Sequence, residues 1–588
     1  QKYFYVFKLY RNVGNPVLLR ARGWKMADEG EGDVAGGSRV VFGDDLDNND
    51  PYDEYMEIKV GSGSDSSPLN VSALTAGVED VGLRGDEQAP GAEDGVVPES
   101  PESSSAAEVA KSAEHKTLER RVSKADETEA DEALQARKKS QANLGPVRDH
   151  SEEDVHHPNW ICHRKHVFIL SEAGKPIYSR YGNEDKLATI MGVMQALVSF
   201  VQDDKDTLRW MIAGDHKFVF ICKHHMVLVT VANSGESPQQ LALQLNYTCS
   251  QILSVLTLSQ LNRIFQQRRN YDLRRLLSGT EKFIDNLWNL MDEEPSFILG
   301  AVRCLPLPSS VRDTIGHILQ GARVPELVFA LLVVDNQLVT LLRPKRYSLH
   351  PSDLHLIFNL VDASMSFRTG ESWMPICLPK FDNAGYLHAH VSYIEDEEST
   401  VEAPGIQLKS GASTSVPPQS FGACLLLLST DRNAFFALSK CRATVEQKML
   451  KHNCIKAIAE AVGRRAAYRI AQTDISDLLH FMYKSKVTHQ YTSPRLEAPY
   501  MTPADRQRLI ALYQYLHHRM HSQARPLRII YHVTQQEAVL GWITSHFELY
   551  ATFSPLVTKP VAISALNKLL RWIKHEEDRL FILNPQMY

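Results

Sequence analysis

Apolar and polar residues between positions 166 and 233 follow a pattern that predicts two strands, one helix and three further strands. HVFILSEAGKPIYSRYG alternates apolar and polar positions on either side of Gly174, as the two arms of a half-buried hairpin do. The next segment, KLATIMGVMQALVSFV, repeats its apolar residues at helical period. The helix stripe consists of Leu187, Ile190, Met191, Met194, Leu197, Val198 and Val201. Strands are predicted near residues 210–213, 217–223 and 226–232.

The ends of the helices in this first unit are indicated by capping residues. Asn183 is expected to cap the helix of the apolar stripe, with Glu184 and Asp185 in its first turn. Ser237 followed by Pro238 predicts the start of a helix that reaches about residue 258. Two more helices are predicted, at residues 261–277 and 280–291. A hairpin, a helix, a three-strand meander and then helices resemble a longin-type domain.

Two more α/β units follow, so the folded part is predicted to contain three longin-type domains at residues 158–294, 295–443 and 444–588. In the second unit we expect two helices, at residues 309–320 and 351–364. We also expect five strands, at residues 327–334, 338–344, 377–381, 387–394 and 423–428. In the third unit we expect helices at residues 445–462, 474–483, 503–522 and 561–576, and strands at residues 528–533, 537–543 and 547–554. The predicted fold class is α/β of the α+β kind.

Residues 26–157 have a different composition, dominated by Asp, Glu, Gly, Ser, Ala and Pro, with the last aromatic residue before the folded part at Tyr55. Such a segment buries too little apolar surface to offset its ordering entropy, so we expect residues 1–157 to form an acidic, disordered regulatory region. Met26 resembles an initiation site, so residues 1–25 are either native or a leader sequence. No signal-peptide pattern and no apolar run of about 20 residues is found. We expect a cytoplasmic protein.

Motifs for chemistry are absent from the sequence. It contains no GxxxxGK[ST], HExxH or GxSxG, and its eight cysteines include no CxxC pair, which favours a reducing compartment. His517 and His521 have i, i+4 spacing, but no second ligand pair at zinc-site spacing accompanies them. We therefore expect no catalytic residues, no metal and no cofactor. The net charge of −6 also gives no indication of nucleic-acid binding.

Two groups of residues are candidates for contacts at the surface. One group is basic and consists of Arg343, Lys345, Arg346, Arg464 and Arg465. These residues form either an ordinary solvated face or a patch that attracts anionic lipid headgroups. Trp373, with Met374 beside it, is placed by the pattern in a turn-like setting before a strand. It is either a core tryptophan or an exposed anchor for a protein partner, since tryptophan is frequent in interface hot spots.

Four long strings in the chain resemble the SAND family of vacuolar fusion proteins over roughly residues 163–588. They are HVFILSEAGKPIYSRYGNED, GVMQALVSFV, ESWMPICLPKFDNAGYLHAHVSYI and RPLRIIYHVTQQEAVLGWITSHFELYATFSPL. The resemblance implies three longin domains and an obligate partner, the calcium-caffeine-zinc-sensitivity longin protein. It further implies that the heterodimer is a guanine nucleotide exchange factor for the late-endosomal Rab GTPase, recruited by the early-endosomal Rab. Exchange of this kind is binding rather than enzymatic chemistry.

The same resemblance implies roles for individual positions. The helix carrying Leu187, Ile190, Met191 and Met194 belongs to the domain expected to bind the partner and the substrate Rab. Trp373 and Met374 are the expected contact for the upstream Rab, and the basic residues named above would bind phosphoinositide membranes of endosomes and of the lysosome or vacuole. The alternative is a Rab effector or tethering adaptor without exchange activity.

Overall fold

The computed structural model describes three α/β domains, all within one compact unit. Each domain is built on one sheet, and the three sheets contain seven, six and six strands. The described residues are 17–19 and 38–42, given as backbone only, together with 153–268, 271–364, 370–395, 422–462, 468–522 and 524–588.

The first domain has the predicted hairpin, helix and meander. Its strands are β1 (Val17–Leu19), β2 (Ser38–Phe42), β3 (Lys165–Ser171), β4 (Pro176–Ser179), β5 (Trp210–Ala213), β6 (His216–Lys223) and β7 (Met226–Ala232). Their order across the sheet is β1-β2-β5-β6-β7-β3-β4, and β3 to β7 pair antiparallel. β1 and β2, which lie in the predicted tail, extend the sheet beyond β5.

Helices cover both faces of this sheet. They are α1 (Pro158–Cys162), α2 (Ala188–Asp203), α3 (Pro238–Val255), α4 (Leu258–Gln267), α5 (Arg274–Leu277) and α6 (Glu281–Glu293). α2 packs on one face, while α3, α4 and α6 pack on the other. Ser237 caps α3 through a capping box with Gln240, as its sequence predicts.

The prediction that Asn183 caps α2 is wrong. The helix begins at Ala188, and its N-cap position is Leu187. The Asn183 side chain instead accepts a hydrogen bond from the backbone of Asp185, at 2.9 Å, within a turn. Asparagine forms such local turns as readily as it caps helices, and the carboxylate of Glu184 is occupied by the Ser179 backbone N–H at 3.0 Å.

The second domain places its helices on both faces of a sheet ordered β11-β12-β13-β9-β10-β19. Its own strands are β9 (Leu327–Val334), β10 (Gln337–Arg343), β11 (Ser372–Leu378), β12 (Asp382–Glu395) and β13 (Gly422–Ser429). Its helices are α8 (Ser309–Gly321), α9 (Pro351–Asp362), α10 (Phe435–Lys451) and α11 (Cys454–Val462), and the short α7 (Ser296–Leu299) precedes them. α9 covers one face, and α8, α10 and α11 cover the other.

Two details of the second domain differ from the sequence expectation. Trp373 lies within β11 rather than in a turn, because β11 pairs with β12 from residue 372 onward. The boundary expected between residues 443 and 444 falls inside α10. Because α10 and α11 pack on the second sheet, the core of the second domain continues to Ile458.

The third domain has a sheet ordered β16-β17-β18-β14-β15-β8, with α13 on one face and α12 on the other. Its own elements are β14 (Leu478–Ser485), β15 (Gln490–Thr492), α12 (Pro503–Met520), β16 (Ile529–Val533), β17 (Ala538–Ile543), β18 (Phe547–Phe553), α13 (Lys559–His575) and α14 (Glu577–Leu580). The helix predicted at residues 474–483 is wrong. This segment forms β14, which pairs with β18 and β15, so tertiary pairing decided an ambiguous apolar pattern.

The second and third domains exchange short strands. β8 (Val302–Arg303) precedes the second domain in the chain but pairs in parallel with β15 of the third sheet. β19 (Gln586–Met587) follows the third domain but pairs in parallel with β10 of the second sheet. Each of these two sheets is therefore completed by a strand from outside its own stretch of sequence.

α3 connects the first domain to the other two. The Tyr247 hydroxyl lies 3.0 Å from Nδ1 of His355 on α9, and Asn359 on α9 donates to Gln251 at 2.8 Å. At its other end, the amide of Gln240 donates to the backbone oxygen of Gln514 at 2.8 Å. These groups are buried, so each hydrogen bond avoids the free-energy cost of burying a polar atom without a partner.

None of the helices in the described ranges combines the length and the apolar character needed to cross a bilayer.

Candidate functional site

The apolar stripe of α2 faces its own sheet. Leu187 and Met191 are fully buried, and Met194 is 5% exposed, in the core that α2 forms with β3, β6 and β7. Ile190 is half-buried at the edge of that core. Burial therefore corrects the assignment of Leu187, Met191 and Met194 as partner contacts, whereas the assignment of Ile190 stays a prediction. A stripe repeating at helical period is the one that packs internally, so another protein would meet the opposite face of α2.

That opposite face carries small residues, which the sequence reasoning passed over. Ala188, Gly192 and Ala196 follow one another at four-residue spacing, and all three are exposed. Phe200 continues the row and is 42% exposed. A Cβ added at Gly192 would meet no described atom within 4 Å. The row of Ala188, Gly192, Ala196 and Phe200, here called the α2 surface, is exposed, and its small side chains let a second backbone approach closely.

A second candidate surface lies at the edge strand β11 of the second domain. Trp373 is half-buried, its ring is stacked with that of His388 at 5.6 Å, and it meets Phe435 edge-on at 6.0 Å. Phe436, 5.4 Å from Phe435, is 82% exposed. Met374 is only 5% exposed and points into the core, as adjacent strand residues face opposite sides.

Trp373, His388, Phe435 and Phe436 are here called the aromatic patch. The exposed Phe436 was missed, although the FF pair that begins α10 was a visible signal. The expectation of an exposed anchor therefore fits Trp373 in part and does not fit Met374. Phe436 is the better-exposed aromatic side chain at this surface.

A hydrogen bond beside the aromatic patch joins β12 to Glu371, the residue that precedes β11. His390 lies on β12 opposite Trp373, and its Nε2 is 2.9 Å from the Glu371 carboxylate. Burial lowers the pKa of His390, although the bond to Glu371 raises it. Burial opposes ionisation of Glu371, but the hydrogen bond from His390 and the charge of Arg442 lower its pKa overall. The pair holds Glu371 ionised next to the patch.

The basic residues predicted to bind membranes have separate environments. Arg343 is half-buried, and its guanidinium donates to the backbone oxygen of Tyr347 at 3.1 Å, which stabilises the turn after β10. Lys345 and Arg346 are exposed on the same turn. Arg464 and Arg465 lie outside the described residues. The structure thus leaves Lys345 and Arg346 as the described members of this group with side chains available to a lipid surface.

A cleft among the described residues lies where the three domains meet. Its polar groups are engaged in joining the domains. The Tyr491 hydroxyl donates to Glu294 at 3.2 Å, and Arg303 donates to the backbone oxygen of Ser493 at 3.1 Å. Burial lowers the pKa of His355 to about 4, so this imidazole is neutral, and its Nε2 lies 3.0 Å from a backbone oxygen. These contacts serve domain packing.

Comparison with known proteins agrees with the architecture. Family models of the first, second and third longin domains of FUZ, MON1 and HPS1 match residues 165–287, 325–447 and 477–577. Vacuolar fusion protein MON1 homolog A of Gallus gallus is 51% identical over 437 residues, which are 74% of this chain and 75% of that protein. Protein SAND of Takifugu rubripes is 47% identical over 76% of this chain and 81% of its own length. MON1 homolog B of Mus musculus is 42% identical over 75% and 78% respectively.

The fold and its surfaces define the class: a protein of three consecutive longin domains, of the kind shared by FUZ, MON1 and HPS1. Within this class, the chain belongs to the family of MON1 and SAND vacuolar fusion proteins. The resemblance noted in the sequence is thereby confirmed.

Proposed function

We propose that this protein is one subunit of a heterodimeric guanine nucleotide exchange factor that activates the late-endosomal Rab GTPase. Its partner would be the calcium-caffeine-zinc-sensitivity longin protein. The proposal places the protein in the cytoplasm and at the surface of endosomes and of the lysosome or vacuole, to which it is recruited peripherally. There it would drive maturation of early into late endosomes and fusion with the lysosome or vacuole.

The α2 surface is the observation that carries this proposal. One face of the first sheet is covered by α3, which is itself buried against the second and third domains. The other face is covered by α2, whose outer side is apolar, exposed and formed by small residues. Apolar, closely approachable helix faces favour packing against another helix or sheet. A second longin domain seated there would give a joint surface for a GTPase.

Such an exchange factor acts by differential binding. It binds the nucleotide-free Rab more tightly than the loaded Rab, so it raises the population of a conformation from which Mg²⁺ and GDP leave. No acid, base or metal is needed for this step. The engaged polar groups of the domain cleft are consistent with a factor that works in this way.

Release of fluorescent GDP from the late-endosomal Rab tests the proposal directly. The purified heterodimer should accelerate release well above the intrinsic rate. Gly192→Arg introduces a long charged side chain into the α2 surface without an internal clash, because the space there is open. It should abolish co-purification of the partner and acceleration together. Ser564→Arg, on the exposed side of α13, makes the same kind of change in the third domain and should leave both intact.

Three results would contradict the proposal or the contact on which it rests. Release at the intrinsic rate with the heterodimer present would exclude exchange activity. A complex that prefers GTP-loaded over nucleotide-free Rab would instead identify an effector or tether. Gly192→Arg that binds its partner normally would show that the α2 surface is not the contact.

We also propose that the aromatic patch receives the upstream, early-endosomal Rab. Trp373→Lys should weaken stimulation by that Rab on liposomes while basal exchange in solution stays unchanged. Because Trp373 is half-buried, Phe436→Ser is the cleaner variant, since an 82% exposed ring contributes little to folding. Stimulation unaffected by Phe436→Ser would place the recruiting contact elsewhere.

Membrane contact through Lys345 and Arg346 completes the proposal. Reversing both charges to Glu should lower flotation with phosphoinositide liposomes, because each basic residue near an anionic surface contributes about 1 kcal/mol. Exchange in solution serves as the control and should not change. Flotation equal to that of the unmodified protein would show that Lys345 and Arg346 do not bind the membrane and belong to an ordinary solvated turn.

A further inference from the structure

The last turn of α12 brings two histidines next to a buried carboxylate. His517 and His521 lie one helical turn apart, and the backbone N–H of His521 donates to the His517 oxygen at 2.9 Å. Glu548 lies on β18, and it is only 2% exposed. α12 packs across the third sheet, which is how residues 27 or more positions apart come together.

The three side chains have the spacing of a metal site. One ligand atom from each of His517, His521 and Glu548 lies within 4.8 Å of both others. The two imidazole centroids are 4.2 Å apart, and Nε2 of His521 is 3.2 Å from Oε2 of Glu548. In a tetrahedral zinc site, bonds of about 2.0–2.2 Å hold ligand atoms roughly 3.4 Å apart, so modest side-chain rotation closes the site.

The protonation states of these groups suit metal ligation. Burial lowers the pKa of His517 to about 3, so its imidazole is neutral at physiological pH. Burial alone would raise the pKa of Glu548, but the hydrogen bond with His521 and the charge of Lys484 lower it to about 2. A neutral imidazole and an ionised carboxylate are the forms that bind zinc.

The groups around Glu548 contact its carboxylate in a way that leaves Oε2 facing His521, where it can bind a metal ion. Lys484 and Lys486 approach Oε1 at 3.4 and 3.6 Å. The Tyr550 hydroxyl donates to Oε2 at 3.1 Å and helps to fix the orientation of the carboxylate. The remaining direction at Oε2 is the one occupied by the hydrogen bond with His521. His521 is exposed and His517 half-buried, so an ion can enter from solvent.

We infer that His517, His521 and Glu548 form a binding site for one zinc ion, with the fourth position open to water. The ion takes the place of the hydrogen between His521 and Glu548. A neutral His521 binds through Nε2 and carries its hydrogen on Nδ1, whereas a protonated His521 also releases one proton to solvent. Three protein ligands and an open position are the pattern of accessible zinc sites rather than of closed structural ones. The ion would tie the end of α12 to β18. The inference does not depend on the exchange activity proposed above.

Zinc binding by the full chain, free of any affinity tag and stripped with chelator, tests the inference. Titration against a fluorescent zinc chelator should show one site, and Co²⁺ at the same site should give visible d–d absorption. Zinc should also raise the thermal midpoint, because it binds the folded state in preference to the unfolded one.

Three variants assign the site. His521→Ala, at an exposed position, should weaken zinc binding at least tenfold and remove both the cobalt absorption and the thermal shift. Glu548→Gln should have the same effect, but it changes a buried group. If Glu548→Gln does not fold, His521→Ala is the decisive variant. His518→Ala alters the neighbouring imidazole on the same helix and should keep all three signals. Absence of zinc binding, or zinc binding unchanged in His521→Ala, would overturn the inference.

Discussion

Removal of the Arg312 side chain should loosen the contact between the second domain and the C-terminal residues 577–588. It lies on α8, is 6% exposed, and its guanidinium donates five hydrogen bonds to backbone carbonyl oxygens at 2.7–3.3 Å. The acceptors are the oxygens of Leu305, Val339, Asp578, Arg579 and Phe581. Three of the five lie in residues 578–581, so one side chain anchors that segment beneath α8.

Replacement of Arg312 by Met keeps most of the volume and removes every donor. A buried backbone oxygen that loses its hydrogen-bond donor costs about 1–3 kcal/mol, because it stays desolvated and unpaired. The oxygen of Arg579 keeps a hydrogen bond from the Leu307 backbone N–H at 3.0 Å, and removal of the guanidinium also relieves the cost of burying its charge, so a net loss of about 3 kcal/mol is expected. Because about 1.4 kcal/mol is a factor of ten, local opening should become roughly 100-fold more frequent.

Hydrogen–deuterium exchange measures this opening segment by segment, which matters because a multidomain chain has no single unfolding free energy. In Arg312→Met, peptides covering residues 577–588 and 302–308 should lose about two orders of magnitude of protection. Arg312→Lys keeps the charge but offers three donors in place of the five-donor fork, so it should lie between. Arg571→Met, an exposed arginine on α13, is the matched control and should change nothing.

Protection of residues 577–588 within about threefold of the unmodified protein, in a natively folded Arg312→Met, would refute the reasoning. It would mean that the apolar contacts of Phe581 and Ile582 hold the segment without the guanidinium. A variant that does not fold leaves the graded Arg312→Lys to decide between the two explanations.

Three further predictions concern stability and reactivity. Burial lowers the pKa of His480 to about 3, against about 6.5 unfolded, so the stabilisation by the neutral imidazole is complete above pH 6.5 and is lost as pH falls toward 3. His480→Gln should therefore flatten the pH dependence of the free energy of unfolding of the third domain, measured in urea, by about 1.4 kcal/mol per pH unit in that range. A maleimide should label one thiol rapidly in the native protein, and Cys162→Ser should remove that phase, because Cys162 is exposed while burial raises the pKa of thiols such as Cys304. Gly192→Ala should raise the thermal midpoint, since a helix gains about 0.5–1 kcal/mol from Ala in open space. Gly316→Ala should lower it, since its Cβ would lie 2.5 Å from Cγ of Gln586; equal shifts would refute the clash.

Local patterns predicted most elements, and contacts between distant residues account for the failures. The hairpin around Asp335 and Asn336 was predicted correctly, and both residues adopt the positive φ that such turns require. The segment 474–483 was predicted as a helix, because the pairing partners that make it a strand lie some 60 residues later. β8 and β19, with two residues each, carry no periodicity that a sequence can display.

The candidate surfaces were only partly predictable for the same reason. An apolar stripe identifies the buried face of α2 but says nothing about what the opposite face binds. His517 and His521 were recognised as a pair, whereas Glu548 comes from a strand that only the packing of α12 brings close. Exposure of Phe436 depends on how α10 lies on the second sheet, which no local pattern encodes.

The exchange of β8 and β19 has a consequence for biosynthesis. During translation, the second domain emerges before the third, but the end of its β10 edge, at Leu342 and Arg343, stays unpaired until residues 586–587 have been made, roughly 240 residues later. At a rate of about 5–20 residues per second, the edge remains open for roughly 10–50 seconds. An open strand edge is a template for wrong pairing. The nascent chain is therefore most vulnerable to aggregation, and most dependent on chaperones, in the interval before its last strand is synthesised.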